Sequence, residues 1–185
     1  MNPIIQDYSH LMNSWFGIDD ITNKIGITDA HRNVDYLDNS RIKSDDMYMA
    51  LVKILEKNSH DANTGMAIVA VKDNRIIATG LNGFPSGSID KKLPNCRVNG
   101  DSLKLDAINH AEENLICDAA KRGVSLDDAT VYISSYPCKR CARLLVSVGI
   151  KKWVVGKKPF KETEQDSLWR MLWMKMFNVN VREYE

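Results

Sequence analysis

The first sustained hydrophobic rhythm in the chain is "SDDMYMALVKILEKNS", where Met47, Leu51, Ile54 and Leu55 recur at helical spacing. Ser44 precedes the stripe as a candidate N-cap, and Asp45 and Asp46 suit the positive end of a helix. The period then changes. "MAIVAV" and "RIIATGL" flank the polar triplet "KDN", which predicts two strands joined by a tight turn. From Asn82 to about Asp106 the chain carries Gly83, Pro85, Gly87, Pro94 and Gly100, the pattern of a long loop. Loops of that length in a compact domain are usually functional or disordered.

Helical spacing returns from about Ala107 to Arg122 and stops at Gly123, a residue suited to the left-handed end of a helix. "ATVYISS" reads as a buried strand, and Pro137 suits the first turn of a helix ending near Gly149. "KKWVVG" is a short strand, "QDSLWRMLWMKMF" an amphipathic helix and "VNVREY" a last strand. After the first helix the order is β-β-α-β-α-β-α-β. Helical crossovers between the later strands predict a mixed sheet covered by helices on both faces. Residues 1–43 contain Tyr8, Trp15 and Phe16 but no sustained periodicity. They read as an N-terminal extension that packs on the domain or on a neighbouring subunit, with residues 44–185 as one domain.

Composition narrows the function more than the fold. The 185 residues are 44% hydrophobic and 26% charged, with a formal net charge of +1. That is an ordinary globular balance, with no bulk field to recruit nucleic acid or an anionic membrane. No apolar run approaches the roughly 20 residues of a membrane-spanning helix. The opening residues are acidic and lack the basic and apolar regions of a signal peptide, so a cytoplasmic protein is expected. Its cysteines, Cys96, Cys117, Cys138 and Cys141, are then expected to be reduced.

Candidate chemistry is concentrated in "NHAEEN" and "YPCKRCA". Cys138 and Cys141 stand at i and i+3 at a predicted helix start, where the helix dipole favours the thiolate. His110 opens the preceding helix. If both helices begin at the same sheet edge, one imidazole and two thiolates meet, a ligand set suited to tetrahedral zinc with one open position. Glu112 lies about 200° around a regular helix from His110, so it cannot share the metal from the same face. It can line the pocket beside the metal if His110 sits in a frayed first turn. The arrangement H-x-E…P-C-x-x-C is the signature of zinc deaminases, in which the glutamate is the general acid and base. Two other readings stay open: a redox C-x-x-C pair, and a closed structural zinc site with Cys96 as fourth ligand. Cys117 is expected in the core, Glu113 as a solvated acid, and His10, His31 and His60 as ordinary histidines.

These motifs resemble the cytidine and deoxycytidylate deaminase superfamily, most closely its dCMP deaminase branch. The resemblance covers about residues 45–185 and includes "DANTG", "GLNGFPSG", "HAEEN" and "VYISSYPCKRCARLLVSVGIKK". It implies a three-layer α/β/α fold with a mixed five-stranded sheet, and hydrolytic deamination of dCMP to dUMP for thymidylate synthesis. By position, His110, Cys138 and Cys141 would hold zinc and Glu112 would shuttle protons. Asn82 would contact the nucleotide sugar, and Asn63, Ile68 and Ala111 would line the substrate pocket. Asn114 belongs to the same pattern. The family further implies a homo-oligomer, commonly a hexamer, with dCTP plus Mg2+ as activator and dTTP as inhibitor.

The chain departs from the family pattern at Asn58, Ile68, Leu81 and Leu115. These departures bear on the base and phosphate, so a deaminase of another small cytosine or purine nucleotide or nucleoside is the alternative. A non-catalytic zinc-containing nucleotide-binding regulator is a third reading.

Overall fold

The computed structural model describes residues 43–61, 64–89, 107–158 and 162–184. Helix α1 (Ser44–Glu56) leads into a hairpin of β1 (Ala67–Lys72) and β2 (Arg75–Leu81). Helix α2 (Ala111–Arg122), strand β3 (Thr130–Ile133), helix α3 (Lys139–Ser147) and strand β4 (Lys152–Val155) follow. Helix α4 (Glu164–Met176) and strand β5 (Asn180–Glu183) complete the order. The hairpin turns through Asp73 and Asn74, with φ of 50° and 58°. Two successive left-handed residues make a tight turn whose twist matches that of the strands.

The strands line up as β2-β1-β3-β4-β5. β1 runs antiparallel to both β2 and β3, whereas β3, β4 and β5 are mutually parallel. β2 therefore points the same way as β3 although β1 separates them. Helices α2 and α3, which follow β2 and β3, accordingly start at one common edge of the sheet. This is the predicted three-layer, mixed five-stranded α/β/α architecture.

Strand alternation sorts the core into two faces. Ile68, Ala70, Val131, Ile133 and Trp153 pack with Leu115 and Ala119 of α2 and Ala142 and Leu145 of α3. Ala67, Val69, Tyr132 and Val154 pack against Tyr48, Met49 and Val52 of α1. The buried face of α1 is thus rotated from the expected stripe: Met47 and Ile54 are exposed. The rotation follows from its polar anchors. Asp45 accepts from the Tyr132 hydroxyl at 2.7 Å and pairs with Arg182, and Asp46 accepts from Tyr184 at 2.8 Å. The Tyr48 and Tyr132 rings lie 4.8 Å apart. Lys43, not Ser44, takes the N-cap position, and it makes no side-chain cap bond.

Helix α4 also departs from simple amphipathicity. Leu168, Trp169, Met171 and Leu172 are exposed, while Arg170 is 8% exposed. Arg170 donates to Glu162 at 2.8 Å and lies over the Tyr136 ring, which satisfies its buried charge. No described helix is long and apolar enough to cross a membrane.

Candidate active site

His110 and Cys138 occupy the same position in their helices. Each is the extended residue just before a first turn, with φ and ψ of −68° and 160° for His110 and −63° and 164° for Cys138. Cys141 follows in the first turn of α3 and is fully buried. His110 Nδ1 lies 3.6 Å from Cys138 Sγ and 3.5 Å from Cys141 Sγ. Bonds of about 2.0 Å to nitrogen and about 2.3 Å to sulfur at a tetrahedral centre imply an N···S separation of about 3.5 Å. All three donor atoms lie within 4.8 Å of one another, and among the described residues they are the group that could hold a metal ion. The donors therefore fit zinc in both chemistry and spacing.

Because His110 precedes the helix, its angular relation to Glu112 is not that of two residues within a regular turn. Both line one pocket of about 170 Å3, together with Ala111, Cys138, Ile133 and Tyr136. Glu112 is 7% exposed, and burial pushes its carboxyl above the ordinary carboxylate range. A hydrogen bond from Cys141, helped by His110, brings the Cys138 thiol down to about 4. The same bond and burial push Cys141 up. His110 is raised, chiefly by its hydrogen bond with Cys138.

Glu113 is not the solvated acid expected from its neighbours. It accepts the His110 backbone N–H at 2.8 Å and pairs with Arg140, which stands between the two cysteines. Its side chain is only 12% exposed. Glu113 thus ties the start of α2 to the start of α3. Nothing in "HAEEN" alone distinguishes this role, because Arg140 reaches it from another helix. Cys117, expected in the core, is exposed, since α2 buries Ala111, Glu112, Leu115 and Ala119 instead.

Backbone contacts fix where His110 stands. Gly83 and Asn109 exchange two backbone hydrogen bonds, of 3.1 and 2.8 Å. Asn114 donates to Leu81 O at 2.6 Å and accepts from Asn109 Nδ2 at 3.0 Å, so α2 is pinned to the exit of β2. Gly80 lies directly under α2: a Cβ there would stand 2.6 Å from Leu115 N and would strike the Ala111 carbonyl.

The expected substrate residues divide. Asn82 and Ala111 line the pocket. The Asn82 side chain is also a clamp, accepting from Met66 N at 2.7 Å and Ser59 Oγ at 2.6 Å and donating to Thr64 O at 2.8 Å. Ile68 points into the core with Leu115, and the pocket wall at this strand is Met66 and Ala67. Depth along the strand is the reason: Met66 and Ala67 stand at the edge where β1 begins, whereas Ile68 lies further in and is fully buried. Asn63 and Cys96 lie outside the described residues. Tyr136, which the motif reading passed over, joins the wall from the residue before Pro137.

Fold and donor set together define an α/β protein with a metal-ligand site at a sheet edge. The model of the cytidine and deoxycytidylate deaminase zinc-binding region matches residues 42–157, and the chain belongs to that family. It is 36% identical over 131 residues to a probable deoxycytidylate deaminase of Caenorhabditis elegans, covering 70% of this chain and 64% of that one. The chain therefore spans just under two thirds of that relative's length. With the Homo sapiens deoxycytidylate deaminase it shares 28% identity over 140 residues, 74% of this chain and 77% of that one. The dCMP deaminase from cyanophage S-TIM5, solved in complex with dCMP and dUMP, has the same fold. It superposes with a TM-score of 0.63 at 21% identity, over 79% of this chain and 100% of that chain.

Proposed function

We propose that the chain hydrolyses dCMP to dUMP and ammonia, supplying dUMP for thymidylate synthesis. One observation carries the reading: a buried carboxyl, Glu112, lines the same small pocket as His110 and Cys138, whose donors fit zinc. Burying a carboxyl is costly, and a purely structural metal site has no use for it. This argues against a non-catalytic zinc-containing regulator. The names of the relatives point to dCMP as substrate.

In this reading His110, Cys138 and Cys141 hold zinc. Bound there, the metal would supply a water polarised for attack on C4 of the base. Glu112 takes a proton from that water and delivers it to ring N3, then takes the second proton from the new 4-hydroxyl and passes it to the departing 4-amino group. Pre-positioning of this carboxyl by α2 contributes the roughly 10²–10⁴-fold typical of general acid–base catalysis. Ala111 and Asn82 border the substrate. Glu113 and Arg140 hold the two helix starts in register, which keeps the ligands side by side.

The family resemblance further supports a homo-oligomer, commonly a hexamer, with activation by dCTP plus Mg2+, inhibition by dTTP and a cytoplasmic location. Residues 44–185 form the deaminase domain in this reading, and residues 1–43 an extension to it.

The test is steady-state ammonia release from dCMP, with deoxycytidine, other cytosine nucleotides and purine nucleotides as competitors for the assignment. Glu112→Gln retains zinc and loses turnover. Undiminished dCMP turnover by the purified variant would overturn the mechanism, and preference for another base would overturn the substrate.

A further inference from the structure

A second cavity, of about 640 Å3, opens on the α1 face of the sheet, outside the catalytic pocket. Four lysines line it: Lys53 and Lys57 from the end of α1, and Lys157 and Lys158 from the exit of β4. Among the described residues Glu56 is the one carboxylate in its wall, and Lys158 engages it at 2.9 Å while donating to Gly65 O at 2.5 Å. Lys53 lies 5.8 Å from the centre of the Tyr184 ring. The whole chain carries a formal charge of only +1, so this concentration of ammonium groups is local. Lys53 and Lys57 also suit the negative end of α1. That does not account for Lys157, which a different segment brings to the same cavity.

The cavity adjoins the catalytic pocket through a single layer of backbone. Thr64 and Ala67 line the catalytic side, and their neighbours Gly65 and Ser134 line the basic side. Ser134 is fastened to Ala67 by bonds from Ala67 N to Ser134 Oγ at 2.8 Å and from Ser134 N to Ala67 O at 3.1 Å. Both cavities therefore open at the edge where β3 and β4 end. Compact ammonium groups at such a place bind the multiply charged oxygens of phosphate as point charges.

We propose that this basic cavity is a phosphate subsite, in which Lys53 and Lys157 hold the phosphate group of a nucleotide. The word nucleotide rests on the deaminase reading; the charge and shape of the cavity do not. A nucleic-acid surface fits the structure less well. In "GIKKWVVGKK", the stretch that hints at one, β4 separates Lys151 and Lys152 from Lys157 and Lys158 at opposite edges of the sheet. Lys152 is moreover paired with Asp128 at 2.7 Å.

The experiment titrates the zinc-loaded full chain with inorganic phosphate, dCMP and deoxycytidine by calorimetry. The double variant Lys53→Gln/Lys157→Gln alters exposed side chains, and Lys151→Gln at the far edge serves as the control. The double variant should lose about tenfold or more in affinity for phosphate and for dCMP, leave deoxycytidine unchanged, and lose its salt sensitivity. A matching rise in KM for dCMP, with competition by inorganic phosphate, identifies the substrate's own phosphate. Lysine-dependent phosphate binding with an unmoved KM identifies a second phosphorylated molecule, and supports the subsite equally. Equal affinities in wild type and double variant would overturn it, as would tighter lysine-dependent binding of a single-stranded oligonucleotide. Lysine-dependent phosphate binding by a protein that turns over no nucleotide would sink the deaminase reading and leave the subsite standing.

Discussion

Replacing Glu113 by alanine tests the lock between the two ligand-bearing helices. The substitution removes the acceptor of the His110 N–H, a 2.8 Å bond at the first turn of α2, and the partner of Arg140. Loss of a helix cap costs about 0.5–2 kcal/mol. His110 is exposed, so water can satisfy part of the orphaned amide, which favours the middle of that range. Arg140 is 68% exposed, and an ion pair so open to solvent adds about 0–1 kcal/mol. The expected destabilisation is therefore about 1–1.5 kcal/mol, a fall in melting temperature of about 2–6 °C for a domain of this size. Glu113→Gln keeps an acceptor for the amide and should recover most of the loss.

The larger effect falls on the metal. Loss of a group that orients a zinc-ligating histidine costs about 10–100-fold in affinity. Urea denaturation of wild type and variants, with zinc affinity read against a competing chelator, supplies both numbers. A Glu113→Ala protein with wild-type stability and wild-type zinc affinity would refute the reasoning.

Gly80→Ala drives a methyl group against the α2 backbone at Ala111 and Leu115, and overpacking of this kind costs about 1–3 kcal/mol or more; a lowered urea midpoint and reduced zinc content check it. Asn82→Ala leaves the Met66 amide and the Thr64 carbonyl without their partner, so stability should fall by about 2–3 kcal/mol, measured with and without nucleotide. The Arg182 guanidinium holds the Asp45 carboxyl below its ordinary value, so its stabilisation is present above an unfolded pKa of about 3.9 and is lost as pH falls through the depressed folded value. The urea midpoints of wild type and Asp45→Asn should therefore differ at pH 6 and converge below pH 4; a constant gap would contradict this. Removing zinc with a chelator should abolish turnover and expose two further thiols to a chromogenic disulfide reagent, after Cys117 has already reacted.

The sequence by itself determined the strand and helix order, because periodicity and turn residues act within a few positions of themselves. Gly123 ends α2 in the left-handed conformation, and the polar triplet after β1 becomes a two-residue turn. It also determined the donor set. The spacing in "PCKRC" and the histidine in "NHAEEN" are local features whose chemistry demands a common partner. Tertiary structure decided the rest, because each remaining question depends on a group from a distant segment. Asp45 and Asp46, caught by Tyr132, Arg182 and Tyr184, set the rotation of α1. Packing with Leu115 of α2 took Ile68 into the core, while Met66 and Ala67, where β1 begins, stayed at the pocket. Of two adjacent glutamates that look alike in sequence, burial made Glu112 a pocket carboxyl, while Arg140 and the His110 amide made Glu113 the tie between helices.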